Sequence, residues 1–435
     1  MGIPMIMNEA EQGFVREFGM ALPALPGDEA LRQRRRAAFA HFETVGLPGR
    51  RDEDWHYTDY RAMVRPPVMQ AFAPMALSGS LPADPLGASG PTHYRLMNGA
   101  FASLRPLPAG VTIYPLARAL KERPDLIARI GEVVPDTASP LAALNTAFFA
   151  DMLFIVVDAG VRLDAPLHAN FYFGGDMPLR LVARAMIIVG DGAEVTLVNS
   201  VTGADGVAYQ SNSLVEIVAG DDARVHYVRN NGSGRDSISV HTLGARIGAR
   251  SELNIFNITT GAGLSRHEIR LTFAGADAKA GIRGVGLLGG TQHSDTTLMV
   301  DHTAPGCESR ELFRHVVDDS AIGVFQGKIM VKQAAQKTDG QMASNAILLS
   351  DDATMNNKPE LEIFADDVVC AHGATCGALD EDLLFYLQAR GLPKAEAEAL
   401  MVQAFCGEAI EFVENEALRE ALNGIVEGWL KARAG

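Results

Sequence analysis

From Phe148 onward the chain alternates short apolar runs with polar turns. Leu153 to Val157, Met186 to Val189, Val195 to Val198, Leu214 to Val218 and Val225 to Val228 are rich in Val, Ile and Leu. Runs this short, bounded by turn residues, predict strands. The turns themselves repeat. Gly190-Asp-Gly-Ala-Glu-Val, Gly220-Asp-Asp-Ala-Arg-Val, Gly248-Ala-Arg-Ser-Glu-Leu and Gly275-Ala-Asp-Ala-Lys-Ala have their third positions at 192, 222, 250 and 277, an interval of 27 to 30 residues. Asp318-Asp-Ser-Ala and Ser350-Asp-Asp-Ala are later variants. A tight polar turn recurring at this interval predicts stacked repeats rather than one folded sheet. Long amphipathic helices are absent between about 148 and 375, which excludes βαβ winding. The expected core is therefore a β-helix of roughly ten coils, about 45 Å long at about 4.8 Å per layer.

The periodicity changes at both flanks. From Asp380 apolar residues recur at helical spacing: Leu383, Leu384 and Leu387, then Leu400, Phe405 and Ile410, then Leu418, Leu422, Ile425 and Trp429. Asp380 is a suitable N-cap, with Arg390 in the last turn, Gly391 to end the helix and Pro393 to stop its continuation. Residues 1 to about 125 read as helical and connector-rich. Arg32, Arg34, Arg35 and Arg36 predict a solvated helix face, and Trp55 predicts an aromatic anchor onto the rest of the chain. Pro66-Pro67 and the Pro/Gly/Ser-rich stretch 74 to 91 read as extended linker. The expected organisation is mainly β: an N-terminal helical domain and linker (1–130), a β-helix core (131–375) and a C-terminal helical domain (376–435).

Composition narrows the partners. Of 435 residues, 47% are hydrophobic and 21% charged, as in ordinary globular chains, and the net charge is −15. That sign disfavours nucleic acid and anionic membrane surfaces. No apolar run approaches the ~20 residues of a membrane span. The opening MGIPMIMNEAEQ has no basic segment leading into an apolar core, so no secretory signal is expected. Four cysteines without a C-x-x-C pair are too few for a disulfide framework, and the expectation is a reduced, cytoplasmic protein.

Candidate chemistry concentrates at the junction of strand and helix, Val368 to Leu392. Cys370 and His372 alternate with Ala371, which on a strand puts thiol and imidazole on one side. That pair suits iron, zinc or persulfide sulfur. The same residues also read as a structural cysteine beside a hydrogen-bonded histidine. Two ligands do not hold an iron–sulfur cluster, which takes four, so such a role needs a second chain. Elsewhere His293 with Asp295, and Asp301 with His302, offer imidazole and carboxylate, as metal ligands or as ordinary hydrogen-bonding pairs. Gly284-Val-Gly-Leu-Leu-Gly289 matches a dinucleotide string, but the alternating residues after it predict a strand where that function needs a helix. No G-x-S-x-G or G-x-x-x-x-G-K-[ST] string occurs.

Several longer segments carry a resemblance. Ala335-Gln-Lys-Thr-Asp-Gly-Gln, Asn345-Ala-Ile-Leu-Leu-Ser350, Lys358-Pro-Glu-Leu-Glu-Ile363, Asp366-Asp-Val-Val-Cys-Ala-His-Gly-Ala-Thr375 and Leu384-Phe-Tyr-Leu-Gln-Ala-Arg-Gly391 resemble the SufB/SufD family of iron–sulfur cluster assembly proteins. Arg51-Asp-Glu-Asp-Trp-His-Tyr-Thr58, Leu144-Asn-Thr-Ala147, Gln292-His-Ser-Asp295 and Phe325-Gln-Gly-Lys-Ile329 agree, so the likeness runs from about residue 45 to the C-terminus. The Cys-Ala-His-Gly-Ala-Thr form and the lack of a cysteine between Cys307 and Cys370 are similar to the SufD branch. The resemblance implies a right-handed parallel β-helix and a non-catalytic scaffold. It implies pairing with SufB through the late coils, a SufC ATPase held by the C-terminal helices, and a homodimer when alone. It places His372, with Cys370 nearby, at the SufB interface where a transient cluster is built, and Phe385, Tyr386, Arg390 and Gly391 at the ATPase contact. No stably bound cofactor is expected, and FAD is left open. Cys376, and His315 after Arg314, depart from the family texture. The reading from a different class is a β-helix enzyme acting on a polysaccharide or acyl substrate through paired carboxylates on the coil face.

Overall fold

The computed structural model describes residues 7–64, 83–90, 92–98, 100–174 and 178–434. The linker expected at Pro66-Pro67 and from 74 to 82 lies outside them. In chain order the strands are β1 (Thr92–Met97), β2 (Ala100–Leu104), β3 (Val111–Pro115), β4 (Leu153–Val157), β5 (Leu167–Phe173), β6 (Arg180–Val189), β7 (Glu194–Gly203), β8 (Gln210–Ala219), β9 (Arg224–Gly232) and β10 (Ile238–Ile247). They continue with β11 (Glu252–Thr259), β12 (Leu264–Phe273), β13 (Lys279–Leu288), β14 (His293–His302), β15 (Glu308–Val317), β16 (Ile322–Val331), β17 (Asp339–Leu348), β18 (Thr354–Ile363) and β19 (Val369–Gly377). Successive strands go alternately to two sheets. One runs β18-β16-β14-β12-β10-β8-β6-β4-β3, the other β19-β17-β15-β13-β11-β9-β7-β5-β1-β2. Apart from the antiparallel pairs β1–β2 and β3–β4, the strands of both sheets pair in parallel, so the core is the expected parallel β-solenoid.

Eight parallel strands in the first sheet make eight coils rather than ten, a stack of about 35 Å. The excess came from strand length. The apolar runs are only halves of strands that reach ten residues. Gln210 to Ser213 of β8 and Asn199 and Ser200 of β7 carry little strand propensity but are paired throughout by the coils on either side. The helical reading of residues 1 to about 125 likewise misses β1 to β3, which extend the two sheets at their first ends.

The repeated turns are the corners of the coils. Their third residues are all left-handed: Gly192 (φ 64°), Asp222 (φ 55°), Arg250 (φ 54°) and Asp277 (φ 60°). Each corner donates to the next, from the Gly192 N–H to Asp221 O, Asp222 to Ala249 O and Arg250 to Ala276 O, all at 2.8 Å. At the first position a Cβ on Gly220 would lie 2.8 Å from the Asp191 nitrogen, which is why the motif opens on glycine.

Helices cover the outer faces of the sheets. Helices α1 (Glu9–Ala21) and α2 (Glu29–Val45) join α6 (Pro140–Phe148) over the first sheet, while the short α3 (Tyr60–Met63), α4 (Leu116–Glu122) and α5 (Pro124–Ala128) connect the parts. Phe14, Phe18, Phe39, Phe42 and Phe148 form one aromatic cluster, with Phe18 stacked on Phe39 at 4.0 Å. The arginine run is not wholly solvated. Arg35 is fully buried and donates to the carbonyls of Thr146, Ala147 and Phe149 at the end of α6, where unpaired carbonyls welcome a cation. Arg34 pairs with Asp136 at 2.9 Å and Arg36 with Glu29 at 3.0 Å. At the other terminus α8 (Lys394–Ile410) and α9 (Glu416–Ala434) pack Val402, Cys406, Ile410, Leu418 and Leu422 on the outer face of the second sheet, while α7 (Glu381–Ala389) buries no residue. The C-terminal module therefore lies along the side of the solenoid and leaves its last coil open.

Candidate functional site

The last coil ends in two strands that each pair on one side only. β18 is the terminal strand of the first sheet and β19 of the second. Strand β19 pairs with β17 in register, Gly340 opposite Cys370, Met342 opposite His372 and Ala346 opposite Cys376. Strand alternation then puts Cys370, His372, Ala374 and Cys376 on the side of Met342, a residue of the interior core. Cys370 and His372 do share a side, and that side faces the lumen at its open end. Cys370 is half-buried against the core, whereas His372 and Cys376 are exposed. Burial pushes the Cys370 thiol up, with Asp339 and Glu311 adding to the effect. Thr375 points the other way and accepts from Asn345 Nδ2 at 2.6 Å.

Glu311, which the sequence reading did not single out, lies beneath this pair. It is opposite Met342 on β15, so the column His372, Met342, Glu311 descends into the lumen. Its carboxyl is 2% exposed, and neither oxygen has a hydrogen-bond partner. The nearby Ser309 hydroxyl is engaged with His302 Nε2 at 3.1 Å. The stretch Glu308-Ser-Arg-Glu-Leu-Phe-Arg-His has charged residues on both sides of the strand, so its pattern does not reveal which side faces in.

Burial pushes the Glu311 carboxyl up to about 8. The folded chain then keeps this proton at pH values where the unfolded chain, near 4.3, has lost it. Below about pH 4 both states are protonated and there is no cost. The cost grows as pH rises toward 8 and is constant above. Glu311→Gln should therefore be increasingly more stable than the parent between pH 5 and pH 8, by an order of 3 to 5 kcal/mol at the upper end. Paired thermal melts across that range test this, and parallel curves would contradict it.

The other candidate residues are accounted for locally. His293 Nε2 meets the Thr58 hydroxyl at 2.9 Å, and Asp295 pairs with Arg266 at 2.5 Å, both side chains fully buried. Thr58 also hydrogen-bonds Asp295, and Arg266 lies 3.7 Å over the Trp55 ring. These contacts clamp the N-terminal segment to the solenoid, as Trp55 led us to expect, and use the histidine and aspartate as a polar lock. His302 turns inward and Asp301 outward on β14. Gly284 and Gly286 lie in β13, and the residues after the string form β14, the strand that the alternation predicted. A Cβ on Gly284 would lie 2.5 Å from the Phe313 ring and one on Gly286 2.8 Å from the His315 ring, so these glycines make room for the next coil. Among the described residues no group of three or more His, Cys, Asp or Glu could hold a metal ion, and no helix is long and apolar enough to cross a membrane.

Beyond β19 only residues 378 to 380 separate the strand from α7. The Asp380 carboxylate accepts from the Leu383 N–H at 2.9 Å, confirming the N-cap, and Gly391 takes φ 94° at the other end. Phe385 is 72% and Tyr386 53% exposed, and the Arg390 guanidinium lies 5.1 Å from the Tyr386 ring centre. A cleft of about 410 Å³ lies elsewhere, between β7, β9, β11 and the loop joining α8 to α9. In it Glu194 lies 4.0 Å from Arg162 and Glu414 3.9 Å from His226.

Comparison with known proteins matches this architecture. Residues 173–405 match the family model of the SUF system FeS cluster assembly SufBD core domain, and residues 91–169 match that of the SufBD protein N-terminal region. An iron–sulfur cluster assembly SufBD family protein of Synechocystis is 30% identical over 421 residues, covering 92% of this chain and 91% of that protein. A chloroplastic protein of Arabidopsis thaliana, ABCI7, is 27% identical over 94% of this chain and 88% of its own length. The iron–sulfur cluster assembly protein SufD of Escherichia coli is 27% identical over 64% of this chain and 66% of its own length. The eight-coil parallel solenoid and these matches lead to one conclusion: the chain belongs to the SufB/SufD family of iron–sulfur cluster assembly proteins.

Proposed function

We propose that this chain is a SufD-type, non-catalytic scaffold subunit. It pairs end to end with a SufB-type partner through β18 and β19, presents Cys370 and His372 at the shared face, and docks a SufC-type ATPase through α7. The observation that carries this reading is the uncovered last coil. Two adjacent strand edges stand open, with Phe364 61% and Val369 63% exposed beside them, although proteins ordinarily cover such edges. A second solenoid adding strands there would satisfy the free backbone groups and bury these side chains.

The chemistry follows from where the two ligands lie. Cys370 and His372 supply two of the four ligands a cluster takes, and the partner supplies the rest. The cluster is cargo, so a site that is incomplete in one chain and completed by another can also release it. With no phosphate-binding string of its own, the chain takes mechanical work from the ATPase. The three residues between β19 and α7 make that transfer short, because displacement of α7 is applied directly to the strand that carries the ligands.

Co-expression with SufB-type and SufC-type subunits tests the assembly. A Phe385→Asp, Tyr386→Asp double variant should still co-purify with the SufB-type chain but lose the ATPase. Val369→Asp should weaken the end-to-end pairing and spare ATPase binding. Retention of the ATPase by the double variant would refute the role given to α7.

A further inference from the structure

The interior of the solenoid holds a charge that no ion pair among the described residues balances. Arg229 on β9 has the same parity as Val225 and Tyr227, two residues of the interior core, and is 2% exposed. Other buried guanidiniums have obvious partners. Arg184 pairs with Glu216 at 2.8 Å, Arg266 with Asp295 at 2.5 Å, and Arg35 has its three carbonyls. Arg229 donates to the Asn257 side-chain oxygen at 3.2 Å, its Nε has no partner, and among the described residues no carboxylate forms an ion pair with it. Burial lowers its pKa only to about 10, so it remains a cation at neutral pH.

The surroundings supply more donors and a space. The His241 and His267 rings lie 5.1 Å apart between centres, tilted by 40°, and both are held neutral by burial and by Arg229. His241 Nδ1 meets the Ser213 hydroxyl at 2.8 Å, whereas both ring nitrogens of His267 lack partners, so its neutral imidazole has one N–H to give. Beside Arg229 is a cavity of about 20 Å³ lined by Phe173, Asn199, Ser211, Ser213 and Ser239. A space of this size admits one water-sized body and excludes a five-atom oxyanion such as sulfate. A water would satisfy hydrogen bonds but leave the buried charge uncompensated.

We propose that the lumen beside Arg229 binds a small monovalent anion of halide size as the counter-ion of this guanidinium. The site is made by β5, β7, β8, β9 and β10, well before the last coil, and is independent of the role given to Cys370 and His372. Neighbouring coils place Asn199 and Asn257 opposite Arg229, and ion and arginine together present a neutral, hydrogen-bonded unit to this polar layer of the core.

Thermal melts of the full chain in sodium chloride or bromide, against sodium gluconate at equal ionic strength, provide the test. Gluconate is too large for the cavity. Halide should raise Tm saturably, by a few degrees between 1 and 100 mM, as expected for a ligand that binds only the folded state. Arg229→Met should lose this dependence, while Arg250→Met, which removes a surface pair with Asp222, should keep it. Bromide-soaked crystals of the unaltered protein give a reading that does not rely on the variant folding, a single bromine anomalous peak beside Arg229. Equal Tm in halide and gluconate with no such peak, or a halide effect undiminished in Arg229→Met, would overturn the proposal.

Discussion

Asp295→Ala should lower stability by about 3 to 5 kcal/mol, the range for removing one member of a buried ion pair. Asp295 and Arg266 are both fully buried, and this carboxylate also bonds Thr58 and accepts from Thr297 at 3.1 Å. Without it the Arg266 guanidinium keeps only the Trp55 ring and the Asp54 carbonyl at 2.8 Å. A cation left this way in the interior favours states in which it reaches water. The cheapest is release of residues 52 to 64 from the solenoid. Trp55 is 3% exposed in the native chain, so its fluorescence should shift to the red at a lower temperature than the loss of β-sheet circular dichroism. Asp295→Asn, which keeps the shape and one acceptor, should cost less. Coincident transitions at the parental temperature in the alanine variant would contradict the lock.

His372→Ala should abolish cluster assembly in cells while leaving fold and complex formation intact. The two effects separate because the side chain is exposed on a terminal strand, where substitutions ordinarily change stability by less than about 0.5 kcal/mol. Its removal takes one of the two ligands that this chain brings to the shared face. Thr375→Val on the same strand points to the other side and should leave assembly near normal. The measurements are the activity of an iron–sulfur enzyme in cells carrying each variant, and co-purification of the subunits. Normal assembly by His372→Ala would sink the site, whereas loss of both assembly and co-purification would make the residue part of the interface alone.

Much of this was visible along the chain because repetition is local. The corner motif recurs at 192, 222, 250 and 277, and the structure finds a left-handed residue at each of those positions. A turn that demands positive φ leaves its mark in Gly, Asp and their neighbours whatever the rest of the fold does. The alternation of Cys370 and His372 was equally legible, since side-chain direction in a strand has period two. Strand length and coil count were not legible. Ser211, Ser213, Asn199 and Asn231 are poor strand formers and adopt the strand because both neighbouring coils pair with them.

Arg35 shows the same division. Its helical run read as a solvated face, yet one of the four arginines is buried, because α6, a hundred residues later, brings its unpaired carbonyls to that point. Glu311 and Arg229 were also out of reach, since what distinguishes them is the absence, among the described residues, of an ion-pair partner in space. By itself the sequence determined the repeating architecture, its corners and the side of the strand that carries Cys370 and His372, all set by interactions within one coil. Only the tertiary structure decided that the C-terminal helices lie along the solenoid and leave its last coil open, and which buried charges go unpaired. Those outcomes depend on contacts between coils and helices far apart in the chain, where no local pattern records them.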